Sequence, residues 1–259
     1  TTTPGTGYII VHEDDAIGNS YDTLMRMARI GVKVGIGLIA EKIGTEGYMT
    51  WAQIIALVRT GNVRLYPHKY NSLPSYTDEA AQRAYMQAVQ TYIADAAREQ
   101  GEPFGNPSMF ILPAGTTGPD SALRHPDDFP LMWEYMQHVR GTAPFFSGVK
   151  VAPTAGGGLG SDIRTNGSMP PDPVNPRWSW SMGCSTAQMG DSDGADNENT
   201  WISPKGVIPR CIADGTVAVP YFHGVGSADP EDPTYHVLNN LTQEAADTLC
   251  DYLETQIKA

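Results

Sequence analysis

Residues 7–15 read GYIIVHEDD, an apolar run that stops abruptly on acids. A continuous run of this kind reads as a buried strand, and its carboxyl end carries polar chemistry. Working outward, Ser20 opens a helical pattern through Met25, Met27 and Ile30 that Gly31 stops. Residues 32–40, VKVGIGLIA, read as a second buried strand. Thr50 caps a helix over WAQIIALVRTG (51–61), and VRLYPH (63–68) is a third strand ending on a histidine. The longest helix starts at Thr77 with Asp78 and Glu79; Ala84, Met86, Val89, Tyr92, Ile93 and Ala96 give it one apolar face, and Gly101 closes it.

Further along, SMFILPAG (108–115) reads as a fourth strand, FPLMWEYMQHVRG (129–141) as a helix and APFFSGVKVAP (143–153) as a fifth strand. TVAVPYFHGVG (216–226) is a strand carrying His223, and residues 241–259 form a terminal amphipathic helix capped by Thr242. Alternation of strand and helix implies parallel strands with helices packed outside. Asp14, Asp15, His68, Pro113 and His223 all fall at carboxyl ends of these strands. In a (β/α) barrel that face gathers residues from distant sequence into one site. The pattern stops between Thr154 and Asn199, a stretch with three consecutive glycines (156–158), a Pro170-Pro171 pair and the acidic run DSDGADNE (191–198). So long a segment reads as a loop insertion over the barrel mouth, with a short hairpin around RWSWSMG (177–183).

All 259 residues are expected in one domain. A net charge of −12 with no basic stripe argues against a nucleic-acid partner. With 27 glycines and 20 prolines the chain invites long shaped loops. No stretch approaches the roughly 20 apolar residues of a membrane span. The start at Thr1, without Met or a secretion signal, suggests a processed or excised piece of something longer. Cys184, Cys211 and Cys250 make no C-x-x-C pair; one disulfide, Cys184–Cys211, and three buried thiols are both open readings.

The order of motifs resembles the polysaccharide deacetylase family, carbohydrate esterase family four. Its first strand ends Thr-Phe-Asp-Asp-Gly, where this chain has His12-Glu13-Asp14-Asp15-Ala16. Its strand beginning Ala-Thr-Phe-Phe, its helix opening Thr-Trp and its His-(Ser/Thr)-x-x-His motif look like VKVGIGLI, TWAQIIALV and His68-Lys69-Tyr70-Asn71-Ser72. Its later motifs resemble YTDEAAQRAY, GEPFGNPSMF, Ile111-Leu112-Pro113-Ala114-Gly115 and Phe222-His223. The likeness spans residues 7–150 and 214–259 and implies a distorted (β/α) barrel of seven or eight strands.

Carried over by position, the resemblance implies Asp14 as general base, Asp15 and His68 as ligands of a divalent metal, zinc by preference, and His223 as the acid that protonates the leaving group. It also implies three departures: the second ligand histidine is Ser72, the base-orienting arginine is Ile111, and the oxyanion-hole tyrosine is Ala114. Catalytic zinc normally has three protein ligands, so His12, Glu13, Ser72, Asp120 and His125 are candidates to complete the set. Pro113, Trp178 and Trp180 are candidate substrate contacts, the tryptophans because sugar rings present apolar faces; a staple holding the long loop accounts for Trp178, Trp180 and Trp201 equally well. Asp14 and Asp15 also read as capping carboxylates of a turn, and His68 as a satisfied core histidine. Residues 191–198 read either as a solvated acidic loop or as a weak calcium loop, and residues 156–160 do not open a helix as a phosphate loop must.

Two functions of different class follow. One is a metal-dependent hydrolase removing acetyl groups from a cell-surface polysaccharide or peptidoglycan. The other is a carbohydrate-binding or adhesin module that keeps the groove without the chemistry. Either is compatible with an extracellular, cell-surface or virion setting, such as a phage tail.

Overall fold

The computed structural model describes residues 8–69, 79–102, 109–111, 138–143, 178–183, 186, 189–190, 200–214, 217–227, 229–236 and 241–258. Strand β1 (Tyr8–Asp15) pairs in parallel with β2 (Lys33–Ile39), and β2 with β3 (Val63–Lys69). Between them run α1 (Tyr21–Arg29) and α2 (Trp51–Val58), and α3 (Glu79–Glu99) follows β3. These six elements match the sequence reading, for reasons that are local. Leu24, Met27 and Ala28 give α1 a buried stripe, and Gly31, at φ +98°, ends it in the left-handed region. Thr50 and Gln53 form a reciprocal capping box at the start of α2. On α3, Tyr85, Met86, Val89, Ile93 and Ala97 face inward, and Gly101 at φ +79° turns the chain away.

The remaining strands are β4 (Met109–Ile111), β5 (His138–Ala143), β6 (Trp178–Gly183), β7 (Val217–Ala218) and β8 (Pro220–Phe222). Hydrogen-bonded order is β3-β2-β1-β8-β6-β5-β4, with β7 also on β1, and every pairing is parallel. Helices α4 (Val207–Asp214) and α5 (Gln243–Lys258) complete the set. Of the expected barrel, the structure shows a parallel α/β sheet. Among the described residues no ladder joins β3 to β4, although those two strands lie against each other.

Two expectations are corrected. Residues 138–141, taken into a helix over 129–141, belong to β5: HVRGTA has no apolar face at three-and-four spacing, and pairing with β4 and β6 decides its state. The hairpin around RWSWSMG is instead β6, one parallel strand between β5 and β8. Its alternating Trp and Ser are the period-two signal of a strand, but the partners lie far away in sequence. Helix α4 was not anticipated; its Pro209 sits in the first turn, where no backbone donor is needed. The fifth strand expected over 143–153 has only Ala143 among the described residues, and Cys184 lies outside them.

One face of the sheet carries the main core. Val11, Val34, Ile36, Leu38, Val63 and Leu65 pack there against Leu24, Met27, Ile54, Leu57, Met86, Val89, Ile93, Leu249 and Leu253. Trp201 is fully buried in the same cluster, a staple and not an exposed platform. The opposite, inner face starts with two missing side chains. A Cβ on Gly35 would lie 2.7 Å from His12 Nε2 and 2.9 Å from Tyr66 Cε2, and one on Gly37 would lie 3.2 Å from His68 Cβ and 3.3 Å from Ile111 Cδ1.

Two measurements check this packing. Gly35→Ala drives a methyl into the His12 and Tyr66 rings and is expected to lower the unfolding free energy by about 1–3 kcal/mol in urea titrations. Burial pushes the Cys250 thiol up to about 12, against the opposing charge of Arg26. Iodoacetamide at pH 8 is therefore expected to leave Cys250 unmodified by mass spectrometry until denaturant is added.

Candidate active site

At the carboxyl end of β1, His12, Glu13, Asp14 and Asp15 are all buried, Glu13 fully and Asp14 to within 1%. Four polar residues in succession at the end of a buried strand require partners nearby. His68, on β3, is buried as well, and its two ring nitrogens are both committed. Nδ1 lies 3.0 Å from the Ile111 carbonyl oxygen, and Nε2 lies 3.2 Å from Asp15 Oδ1. A carbonyl only accepts, so Nδ1 carries the hydrogen. Neutral His68 then aims the lone pair of Nε2 at a carboxylate. Two acceptors this close are stable only with a second proton on the ring or with a cation held between them.

The donor set fits a divalent cation. A buried carboxylate oxygen and an imidazole nitrogen stand side by side, and the histidine's other nitrogen is held by a backbone carbonyl, as metal-ligating histidines usually are. Among the described residues no three His, Cys, Asp or Glu side chains converge as a metal cluster. Asp15 and His68 are thus the two candidate ligands among the described residues, and Ser72, Asp120 and His125 lie outside them.

Glu13 does something other than complete the ligand set. Its Oε2 accepts the Ala16 N–H at 2.9 Å and its Oε1 the Ile17 N–H at 2.8 Å, with the Ser20 hydroxyl 3.5 Å from Oε1. Burial pushes its carboxyl well above the ordinary range; the Ile17 and Ala16 amides oppose this, and the charges of Asp15 and Asp14 add to it. His12 lies one pleat below Asp14, its ring stacked on Tyr66 at 5.8 Å and against Gly35. Asp14 is paired in register with Gly37.

His223 immediately follows β8. Because Glu13 pairs with Phe222, the register carries His223 to the level of Asp14 at the same edge of the sheet. Its ring meets Tyr221 edge-on at 5.6 Å. The segment beyond is tied down by Val225 N–H to Asn19 Oδ1 (3.1 Å) and Gly226 N–H to the Leu241 carbonyl (2.9 Å). Of the expected substrate contacts, Trp178 and Trp180 are positions of β6, in register with Val139 and Gly141. Pro113, Ala114, the glycine run at 156–158 and residues 191–198 lie outside the described residues.

Four participants were missed in the sequence. Gly37 makes room for His68, Ile111 supplies a carbonyl, and Tyr66 packs against His12. Tyr48 stands near the carboxylates: burial raises its hydroxyl pKa, and the charges of Asp15 and Glu13 raise it further. The glycines had a legible signal, alternation with branched residues in VGIGLI; the carbonyl and Tyr48 had none. Ile111 itself is fully buried, so the position that the resemblance gives to arginine is apolar.

No family model matches the chain, and no curated protein matches it either. Among solved structures it is similar to a polysaccharide deacetylase from Bacillus cereus, at 14% identity and TM-score 0.38 over 52% of this chain and 40% of that one. It is also similar to a family 4 carbohydrate esterase from Streptomyces lividans in complex with acetate, at 19% identity and TM-score 0.34 over 51% of this chain and 61% of that one. A spore coat polysaccharide biosynthesis protein from Bacillus subtilis matches 97% of this chain and 68% of its own, at 11% identity and TM-score 0.39. The chain spans less than two thirds of the length of the first two. These are distant likenesses, and the chemistry of the site stands on its own residues.

Asp15→Asn tests the facing acceptors. An amide N–H donates to His68 Nε2 and removes a buried charge, so the metal-free variant is expected to unfold about 1 kcal/mol harder than the wild type in urea. A less stable variant would mean that Asp15 and His68 already share a proton.

Proposed function

We propose that the chain is a metal-dependent hydrolase that removes an acetyl group from a glycan. The observation that carries this reading is the buried Asp15–His68 pair, 3.2 Å apart, with His68 Nδ1 committed to the Ile111 carbonyl. Asp15 and His68 would hold the cation, zinc by preference among nitrogen and oxygen donors. When bound, it supplies polarisation of an acyl carbonyl and acidification of a water molecule.

The chain's own groups account for the proton transfers. Asp14, buried at the same edge, takes the proton of the attacking water. His223, level with Asp14, returns a proton to the departing amine or alcohol as the acyl carbon–heteroatom bond breaks. Acetate and a free amino or hydroxyl group are the products. The acetylated glycan comes from the motif order His12–Ala16, His68–Ser72 and Phe222-His223 that resembles the deacetylases. A net charge of −12 speaks against a nucleic-acid partner. No described helix is long and apolar enough to cross a membrane.

Ile111 favours a second reading. With its side chain buried at the inner face, no guanidinium orients Asp14 from that position. A glycan-binding module that has lost the chemistry would tolerate this.

Zinc titration by calorimetry, with acetate release from acetylated glycans, separates the two. One zinc site is expected in the wild type and none in His68→Ala or Asp15→Asn. Asp14→Asn is expected to keep zinc and lose about 10²–10⁴-fold in acetate release. Absence of zinc binding in the wild type overturns the hydrolase, and glycan binding without turnover supports the module.

A further inference from the structure

Along β1 side chains alternate between the two faces of the sheet. His12 and Asp14 fall on the inner face, with Gly35 and Gly37 as their register partners. Val11 and Glu13 fall on the helix side, with Val34 and Ile36. Alternation would send Asp15 to the helix side too, beside its partner Leu38, which is fully buried in the main core. Its carboxylate instead meets His68, which shares the inner face with Gly37. The backbone shows how: Asp15 has φ +82° and Ala16 φ +59°, the two positive-φ residues other than glycine among those described. L side chains rarely adopt this conformation, and two in succession need an outside hold.

That hold is Glu13. Its two oxygens accept the N–H groups of Ala16, within the left-handed pair, and of Ile17, just beyond it. The turn is braced again where Met49 N–H donates to the Ala16 carbonyl at 2.8 Å and Gly18 N–H to the Gly47 carbonyl at 2.8 Å. We propose that Glu13 is a positioning residue: its buried carboxylate holds the Asp15–Ala16 turn in the left-handed region, breaking the alternation of β1 so that consecutive aspartates serve one site. Glu13 itself touches neither substrate nor metal. What the positioning serves rests on the metal-site reading above; the positioning itself does not.

The test is nitrogen NMR of the histidine rings in metal-free protein, comparing wild type, Asp15→Asn, Glu13→Gln and Glu13→Gln/Ala16→Gly, with His68→Ala for assignment. A glutamine amide offers one acceptor where two N–H groups must be met. In Glu13→Gln the His68 Nε2 resonance is expected to leave its wild-type position, showing loss of the Asp15 contact, while circular dichroism stays native. Glycine at position 16 relieves the strain and is expected to bring the resonance back toward wild type. Zinc affinity is expected to weaken about 10–100-fold in Glu13→Gln, as for other groups that hold ligands in place. A folded Glu13→Gln with an unmoved His68 resonance overturns the proposal, and so does a double variant that recovers nothing. If Glu13→Gln does not fold, Glu13→Asp, one methylene short, is read the same way: an unmoved His68 resonance overturns the proposal and a displaced one supports it. Failure of wild-type protein to bind zinc, with the NMR pattern as expected, overturns the metal reading alone.

Discussion

One proton organises the site. Because the Ile111 carbonyl can only accept, His68 must keep hydrogen on Nδ1, and Nε2 is left facing the Asp15 carboxylate, a contact that a second ring proton or a cation must settle. For that bond to exist, β3 and β4, the two ends of the hydrogen-bonded strand order, must approach each other. Gly37 on β2 must also lack a side chain that would press on His68 and Ile111 together. The imidazole thus ties together the ends of a sheet whose backbone ladder does not join them among the described residues, and in doing so acquires the tautomer that a metal ligand needs.

The turn after β1 shows how a site can rest on opposing terms. A non-glycine residue in the left-handed region costs of order 1–3 kcal/mol, and Asp15 and Ala16 are two of them. Against this stand the two backbone N–H groups that Glu13 accepts, each worth about 0.5–1.5 kcal/mol as an ordinary hydrogen bond and more to a charged acceptor. The Met49–Ala16 and Gly18–Gly47 backbone bonds brace the same turn. The remaining unfavourable term is the burial of three successive acids, and it explains why the Glu13 carboxyl is pushed so far upward. A cation beside Asp15 would relieve part of that repulsion.

Much of the fold was written in local pattern. From β1 to α3, apolar runs, the Thr50 cap and the stops at Gly31 and Gly101 set each element within three residues. Beyond β4 local pattern was a weaker guide. His138–Ala143 and Trp178–Gly183 are strands because each lies between two distant parallel partners, which no short window contains. At the candidate site, the residue types able to carry chemistry were legible: Asp14, Asp15, His68 and His223 stand at strand ends. The support for them was not. Ile111 contributes a backbone oxygen that every residue possesses, and Gly35 and Gly37 contribute the absence of atoms. Glu13, expected as a spare ligand, became legible as a brace only once the geometry of the turn was in view.

The paired glycines of β2 leave that strand with two different futures. On its helix side Val34, Ile36 and Leu38 are apolar packing positions, where branched residues can be exchanged if volume is kept. On its inner side every coding change to another residue adds at least one carbon, and at Gly35 and Gly37 that carbon meets a ring, a histidine Cβ or an isoleucine methyl within 3.3 Å. Genetic drift along β2 is thereby confined to alternate codons. The strand can change its outward wording freely while its inward face, two empty positions beneath the carboxylate edge, has little room for any other spelling.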